Sequence, residues 1–190
     1  MRAFIAITLP AEIQKAVAIL QDELKTGLPK ISWIEPGNLH ITLKFLGEIS
    51  DGQLNNIKQI IAEISKKTTQ FQIKLDKFGV FPDISGPRII WIGTNNTFTE
   101  IKKIAEQLEL KIEKLGAAKE TRAFSIHLTI GRIKTDVKLE NLEKILNKAG
   151  KNLINKNLEF VAQGITLFKS RLDKAGAVYT VLKQANFKTT

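Results

Sequence analysis

Leu39-His40-Ile41-Thr42-Leu43-Lys44-Phe45-Leu46-Gly47 is the stretch whose reading decides the fold, and it has a twin in the second half of the chain. The twin is Phe124-Ser125-Ile126-His127-Leu128-Thr129-Ile130-Gly131-Arg132. The chain has only two histidines, and each opens the same frame of His, apolar residue, Thr, apolar residue. Polar and apolar residues alternate through both frames, the pattern of a strand with one buried face. Side chains two apart on a strand point to one face, about 6.6 to 6.8 Å apart along it. His40 therefore shares a face with Thr42, and His127 with Thr129, while Ile41, Leu43, Leu128 and Ile130 face a core. Two such strands side by side line a cleft with two imidazoles and two hydroxyls.

Working outward, the surroundings of the two frames also repeat. Phe4 lies 36 residues before His40, and Ile89 lies 38 residues before His127. Each half reads strand, helix, histidine strand, helix, strand, with a break near Gly86. The expected organisation is a single bilobal domain over residues 1–190, with halves of approximately 1–86 and 87–190. An approximate two-fold axis then sets the histidines on opposite sides of a shared cleft.

In the first half, Arg2 to Leu9 reads as a strand and Pro10 as the opening of a helix. Ile13, Val17, Leu20 and Leu24 form its apolar side, and Gly27 with Pro29 ends it. Ile31 to Ile34 is extended, Pro36-Gly37 turns, and the first histidine strand runs from about Asn38 to Leu46. Ser50 and Gln53 form a capping box before a helix carrying Leu54, Ile57, Ile61 and Ile64. One strand is expected from Phe71 towards Val80, and a loop from Phe81 to Pro87.

In the second half, Arg88 to Gly93 is a strand, and Thr97 with Glu100 forms a second capping box. Phe98, Ile101, Ala105, Leu108, Ile112 and Leu115 line the helix that follows, which Gly116 stops. The second histidine strand is expected from about Arg122 to Ile133. A fourth helix carries Leu139, Leu142, Leu146 and Ala149 and ends at Gly150-Lys151. Leu158 to Phe168 and Ala177 to Leu182 are the last strands, joined through a hairpin turn at Asp173-Lys174-Ala175-Gly176.

A chain of 190 residues, 43% hydrophobic and 25% charged, has the makings of a globular core. Its net charge of +10 comes mostly from lysine. Such a surface favours a polyanionic partner, RNA first, although lysine-rich composition alone produces the same number. There is no cysteine, which excludes disulfides and thiol chemistry and fits a cytoplasmic protein. Met1 to Pro10 is apolar but soon reaches Glu12 and Lys15, so it reads as a first strand and not as a signal segment. No run is long enough to span a bilayer, and no membrane partner is expected.

Facing histidines suit one kind of chemistry. Breaking a phosphodiester by in-line displacement needs a base on the attacking side and an acid on the leaving side. Imidazole does either job near neutral pH. Thr42 and Thr129 can donate hydrogen bonds to non-bridging phosphate oxygens, and a basic side chain can neutralise them. Arg132 is the nearest such side chain, yet simple alternation puts it on the face opposite His127, within reach only if the strand twists or ends there. A metal site lacks ligands: there is no cysteine, no third histidine and no carboxylate within either frame. Each histidine alone would read as a satisfied structural residue, and threonine is common in strands. The pair in matched frames, using every histidine in the chain, reads as a site. Trp33, Phe45, Trp91 and Phe124 border apolar runs and read as core before they read as stacking platforms.

The two frames resemble the signature motifs of the 2H phosphoesterases, and more closely those of the RNA 2′,3′-cyclic phosphodiesterase branch, also called 2′-5′ RNA ligases. Further similarity lies in Arg2-Ala3-Phe4-Ile5-Ala6-Ile7, in Trp33, and in Arg88-Ile89-Ile90-Trp91-Ile92-Gly93. It continues in Leu167-Phe168-Lys169-Ser170-Arg171-Leu172 and Gly176-Ala177-Val178-Tyr179, so it covers nearly the whole chain. Ser125-Ile126 departs from it, since the family usually has a proline just before the second histidine.

The resemblance implies an α+β fold, bilobal and duplicated, with two antiparallel β-sheets facing a central cleft and helices outside. It implies hydrolysis of RNA 2′,3′-cyclic phosphate ends to 2′-phosphate without metal or cofactor. His40 would protonate the leaving 3′ oxygen and His127 would activate water. Thr42, Thr129 and Arg132 would hold the phosphate, the family placing its matching arginine there despite the alternation argument. Run in reverse, the same site would join RNA ends through a 2′-5′ linkage. The expected partner is RNA with 2′,3′-cyclic phosphate ends or a small cyclic nucleotide, and the chain is expected to act as a monomer. The alternatives are a phosphodiesterase for a small cyclic nucleotide phosphate or 2′-5′ oligoadenylate, and a basic RNA-end-binding module without turnover. Paired acid and base groups argue against pure binding.

Overall fold

The computed structural model describes residues 1–28, 30–96, 98–117, 119–120, 123–134, 141–173 and 176–189. The elements of the first half are β1 (Arg2–Thr8), α1 (Ala11–Lys25), β2 (Ile31–Trp33), β3 (His40–Glu48), α2 (Asp51–Lys67), β4 (Phe71–Leu75) and β5 (Lys77–Phe81). Those of the second are β6 (Ile89–Gly93), α3 (Thr99–Glu113), β7 (His127–Ile133), α4 (Leu142–Asn155), β8 (Leu158–Ala162), β9 (Gly164–Asp173) and β10 (Gly176–Asn186). A 3₁₀ turn at Pro36–Asn38 delivers the chain into β3.

The helical stripes bury as their spacing predicts. Ile13, Val17, Leu20 and Leu24 of α1, Ile57, Ile61 and Ile64 of α2, and Ile101, Leu108 and Ile112 of α3 join one core with Ile5, Ile41 and Leu128 of the sheet. The helices thus cover one face of the sheet, and the histidines lie on the other. At the start of α2 the capping box is present: Ser50 Oγ accepts from the Gln53 N–H at 3.3 Å, and Gln53 Oε1 accepts from the Ser50 N–H at 2.9 Å.

The sheet runs in the order β10-β9-β1-β3-β7-β6-β5, with β2 added beside β7, and all its described pairings are antiparallel. The fold is α+β, and the two sheets expected from the resemblance are the halves of this one sheet. Their histidine strands meet at a single pair, Ile41↔Leu128, and β2 of the first half joins β7 of the second at three more. Each residue of that pair directly follows a histidine, so the seam lies at the centre of the repeat. The strands that follow the second helix of each half, β4 and β8, pair with each other in a separate two-stranded sheet.

Several boundaries differ from the sequence reading. The strand expected from Phe71 to Val80 breaks at Asp76, where β4 goes to the small sheet and β5 to the large one. The Asp76 N–H donates to the Gly93 carbonyl at 2.8 Å, and its carboxylate accepts the Asn95 N–H at 2.8 Å, which holds the corner. Leu158 to Phe168 likewise breaks at Gln163 into β8 and β9. Gly164 starts β9 because a Cβ there would lie 2.4 Å from the Ala185 carbonyl oxygen.

The second histidine strand starts at His127 and not near Arg122; residues 123–126 are irregular, and Arg122 lies outside the described residues. Helix α3 has Phe98 at its N-cap without a side-chain cap, and Thr97 of the expected second capping box lies outside the described residues. Helix α4 runs through Gly150 and Lys151 to Asn155. Leu153 continues the stripe of Leu142, Leu146 and Ala149 and is fully buried, which outweighs the roughly 1 kcal/mol that a mid-helix glycine loses to alanine. Leu139 lies outside the described residues, as do Lys174 and Ala175 of the hairpin turn, though Asp173 and Gly176 pair across it. Strand β10 continues past Leu182 to Asn186.

Candidate active site

Burial follows the alternation for four residues in each histidine strand. His40, Thr42, His127 and Thr129 are half-buried, while Ile41, Leu43, Leu128 and Ile130 are buried. Then the alternation breaks, at the same place in both. Lys44 is buried directly after Leu43, and Gly131 directly after Ile130, and the next residues, Phe45 and Arg132, are exposed.

Two matched β-bulges cause the break. In β3, Lys44 partners Ile5 and Thr42 partners Ala6, leaving Leu43 without a partner of its own. In β7, Gly131 partners Ile90 and Thr129 partners Trp91, leaving Ile130 without one. One extra residue changes the parity of everything beyond it. Phe45 and Arg132, which strict alternation turns away, therefore return to the histidine face. Two further facts agree. Phe4, the register partner of Phe45, holds its ring 4.7 Å from that of His40. The Arg132 charge also acts on His40. The placement of Arg132 opposite His127 is thus corrected, and the bulge at Ile130 is the reason.

The histidines are held alike. His40 Nδ1 lies 2.7 Å from the Asn38 carbonyl, and His127 Nδ1 lies 2.8 Å from the Ser125 carbonyl. A carbonyl only accepts, so Nδ1 carries a proton in both rings and Nε2 is the nitrogen left to exchange one. Both imidazoles titrate below the ordinary value. Burial is the main cause for His40, partly offset by the Asn38 carbonyl, with the charges of His127 and Arg132 lowering it further. Burial is also the main cause for His127, offset by the Ser125 carbonyl. A buried imidazole resists charging, and a neighbouring cation adds to that resistance.

The rings around the two histidines differ. His40 sits among Phe4, Tyr179 edge-on at 5.4 Å, and Phe168 at 6.4 Å. His127 has Phe81 edge-on at 5.1 Å, and Phe81 in turn packs 5.1 Å from Trp91. Of the four aromatics read as core, Trp91 is buried, and Trp33 and Phe124 are partly buried against the core. Phe45 departs from that reading, being 64% exposed on the histidine face because of the bulge. Phe81, expected at the start of a loop, ends β5, and only the pairing of β5 with β6 brings it to His127. No local signal marks it. Among the described residues, no group of three or more His, Cys, Asp or Glu side chains is gathered to hold a metal ion, and no helix is long and apolar enough to cross a membrane.

The model of the LigT-like phosphoesterase family matches the chain twice, at residues 7–91 and 92–179. The RNA 2′,3′-cyclic phosphodiesterase of Methanocaldococcus jannaschii is 37% identical over 97% of this chain and 99% of its own. The protein of the same name from Aquifex aeolicus is 32% identical over 97% of this chain and 96% of its own. Among solved structures, TT0787 of Thermus thermophilus superposes with a TM-score of 0.81 at 25% identity, covering 98% of both chains. E. coli LigT complexed with 3′-AMP has the same fold, with a TM-score of 0.77 over 98% of this chain and 97% of that one. With its two family matches and relatives that share a third of its residues along nearly their full length, the chain belongs to the LigT-like phosphoesterases.

Proposed function

We propose that this protein hydrolyses RNA 2′,3′-cyclic phosphate ends to 2′-phosphates, with two histidines as acid and base and no metal. The observation that carries the reading is the matched pair of imidazoles on one sheet face, each with Nδ1 fixed by a backbone carbonyl and with Arg132 beside them. His127 Nε2 takes a proton from water as the water oxygen attacks phosphorus. The bond from phosphorus to the 3′ oxygen breaks, and that oxygen takes a proton from His40 Nε2. The pair ends with its protons exchanged and is reset by solvent. Thr42 and Thr129 donate to the non-bridging oxygens, and Arg132 neutralises the charge that builds on them. The names of the relatives support the same substrate class. With an RNA 5′-hydroxyl attacking phosphorus in place of water, the same displacement joins RNA ends through a 2′-5′ linkage.

The working unit is one bilobal domain with halves of about 1–86 and 87–190, acting as a cytoplasmic monomer on RNA ends or small cyclic nucleotides. Phe45, exposed beside the histidines, offers its ring to the terminal base. The test is to incubate the purified protein with chelator and each nucleoside 2′,3′-cyclic phosphate, and to identify the product. Conversion to the 2′-phosphate is expected. Activity that vanishes with chelator and returns with one divalent ion would refute the metal-free mechanism, and a 3′-phosphate product would reverse the roles of the leaving oxygens.

A further inference from the structure

Two polar side chains, one buried and one half-buried, lie on the inner sides of helices. Gln21 is 3% exposed on the buried side of α1. Its Nε2 donates to the Ile34 carbonyl at 2.8 Å and to the Ile130 carbonyl at 2.9 Å. Ile130 is the bulged residue of β7, and its carbonyl also accepts the Ile34 N–H at 3.0 Å. The matching helix of the other half, α3, has Glu109 on its inner side. Glu109 Oε2 accepts from Lys44 Nζ at 2.6 Å, and Oε1 accepts the Glu120 N–H at 3.0 Å. Lys44, 4% exposed, directly follows Leu43, the bulged residue of β3.

Gln21 is the eleventh residue of α1 and Glu109 the eleventh of α3. The two are therefore equivalent in the repeat, and each crosses to the other half. The helix of the first half holds the bulge of the second, and the helix of the second half holds the bulge of the first. Burying polar groups in a core is unfavourable unless they are paired, so their use at both matched positions points to a task that packing does not supply. Apolar residues set the parity beyond each bulge, because Leu46 and Ile133 are buried. They do not fix which residue is extruded, and that choice decides where the next side chain emerges.

We propose that Gln21 and the Glu109–Lys44 pair are reciprocal positioning residues, each reaching from one half to the bulge of the other and so holding Arg132 and Phe45 beside the histidines. The inference rests on the two-histidine reading only in that Arg132 and Phe45 serve that cleft.

The test is a double-mutant cycle of Gln21→Met with Arg132→Ala, read in two ways. One readout is kcat/KM for a nucleoside 2′,3′-cyclic phosphate. The other is the NMR titration of His40, which Arg132 pushes down. Gln21→Met is expected to lower kcat/KM about tenfold, the equivalent of one hydrogen bond to a charged group. It also raises the His40 pKa towards that of Arg132→Ala, and it changes neither quantity further once Arg132 is gone. The same loss in both backgrounds with an unmoved His40 titration overturns the proposal, since that is the mark of a merely structural residue. No change in either readout overturns it too. If histidine and Arg132 variants keep full activity while Gln21→Met still shifts the His40 titration, the catalytic reading fails and the clamp stands. Should Gln21→Met not fold, the second clamp is tested with Lys44→Met/Glu109→Gln against Phe45→Ala. Discrimination between purine and pyrimidine cyclic phosphates is expected to fall in either variant and no further in their combination; additive losses overturn the proposal.

Discussion

The histidine strands of the two halves have the same burial at seven successive positions and carry different side chains at the two that follow the bulge. In β3 these are Lys44 and Phe45, and in β7 they are Gly131 and Arg132. The backbone device is duplicated and its yield is divided: one half presents an aromatic ring to the cleft, the other a fixed cation. The floor beside the threonines differs in the same way. Thr42 partners Ala6, whereas Thr129 partners Trp91, whose indole lies over Gly79. On the proposed reading, the two-fold frame supplies paired proton-transfer groups, and the asymmetry built on it supplies separate contacts for a base and a phosphate. On that reading symmetry accounts for the acid and base, and departures from it for the direction in which a substrate lies.

The largest effects should come from what the halves share. His40→Ala and His127→Ala are each expected to cut turnover of a 2′,3′-cyclic phosphate by about 10²- to 10⁴-fold. The double variant should be little worse than the poorer single one, because the two act as a unit. Near wild-type turnover by either folded variant would break the comparison at its root.

Next come the positions where the halves differ. Arg132→Ala should lower kcat/KM roughly ten- to a hundredfold for every base, as expected for lost charge-assisted bonds to phosphate. Phe45→Ala should act through KM, and unequally across bases. A uniform effect of Phe45→Ala would deny it contact with the base. Gly79→Ala should destabilise the fold by about 1 to 3 kcal/mol, the usual range for overpacking. Its new Cβ would lie 2.1 Å from the Trp91 ring, with little room to move. Denaturant unfolding measures this, and an unchanged midpoint would show that Trp91 is free to shift. Thr42→Ala and Thr129→Ala each remove one hydrogen bond to phosphate, so a loss of about two- to tenfold in kcat/KM is expected.

The smallest effect is on pH dependence. One imidazole must be neutral and the other protonated, so kcat/KM peaks between the two macroscopic pKa values of the free pair. Burial lowers both from 6.5, which puts the peak below pH 6.5, with activity falling as pH rises past it. Arg132→Ala removes one of the influences lowering His40, so its peak should move up in pH. A wild-type peak above pH 7 would count against burial as the main influence on the two imidazoles.

Much of this was legible without coordinates, because it rests on local periodicity. Alternation exposed the two histidine strands, a 3.6-residue stripe exposed each helix, and Ser50 with Gln53 marked the start of α2. Repetition of a rare residue in one frame revealed the duplication, and with it the pairing of His40 with His127. These signals are carried by neighbours in the chain, and neighbours are all a sequence shows directly.

What tertiary structure alone decided is where the period changes and who holds it there. The run from Phe71 to Val80 alternates in polarity up to Asp76-Lys77 and resumes with Phe78, yet the sequence does not say that its two parts serve two sheets, since a strand's partner lies elsewhere in the chain. The Arg132 face was misread because parity counted along β7 takes no account of β6, where Ile130 finds no partner. Gln21 is a polar residue among the apolar ones of α1, and nothing near it in the chain points to its carbonyl acceptor 109 residues away. A bulge is a relation between strands, and a clamp is a relation between halves. Periodicity within one segment encodes neither, so the matched positions of the two histidines were legible in the sequence and the faces of Arg132 and Phe45 only in the fold.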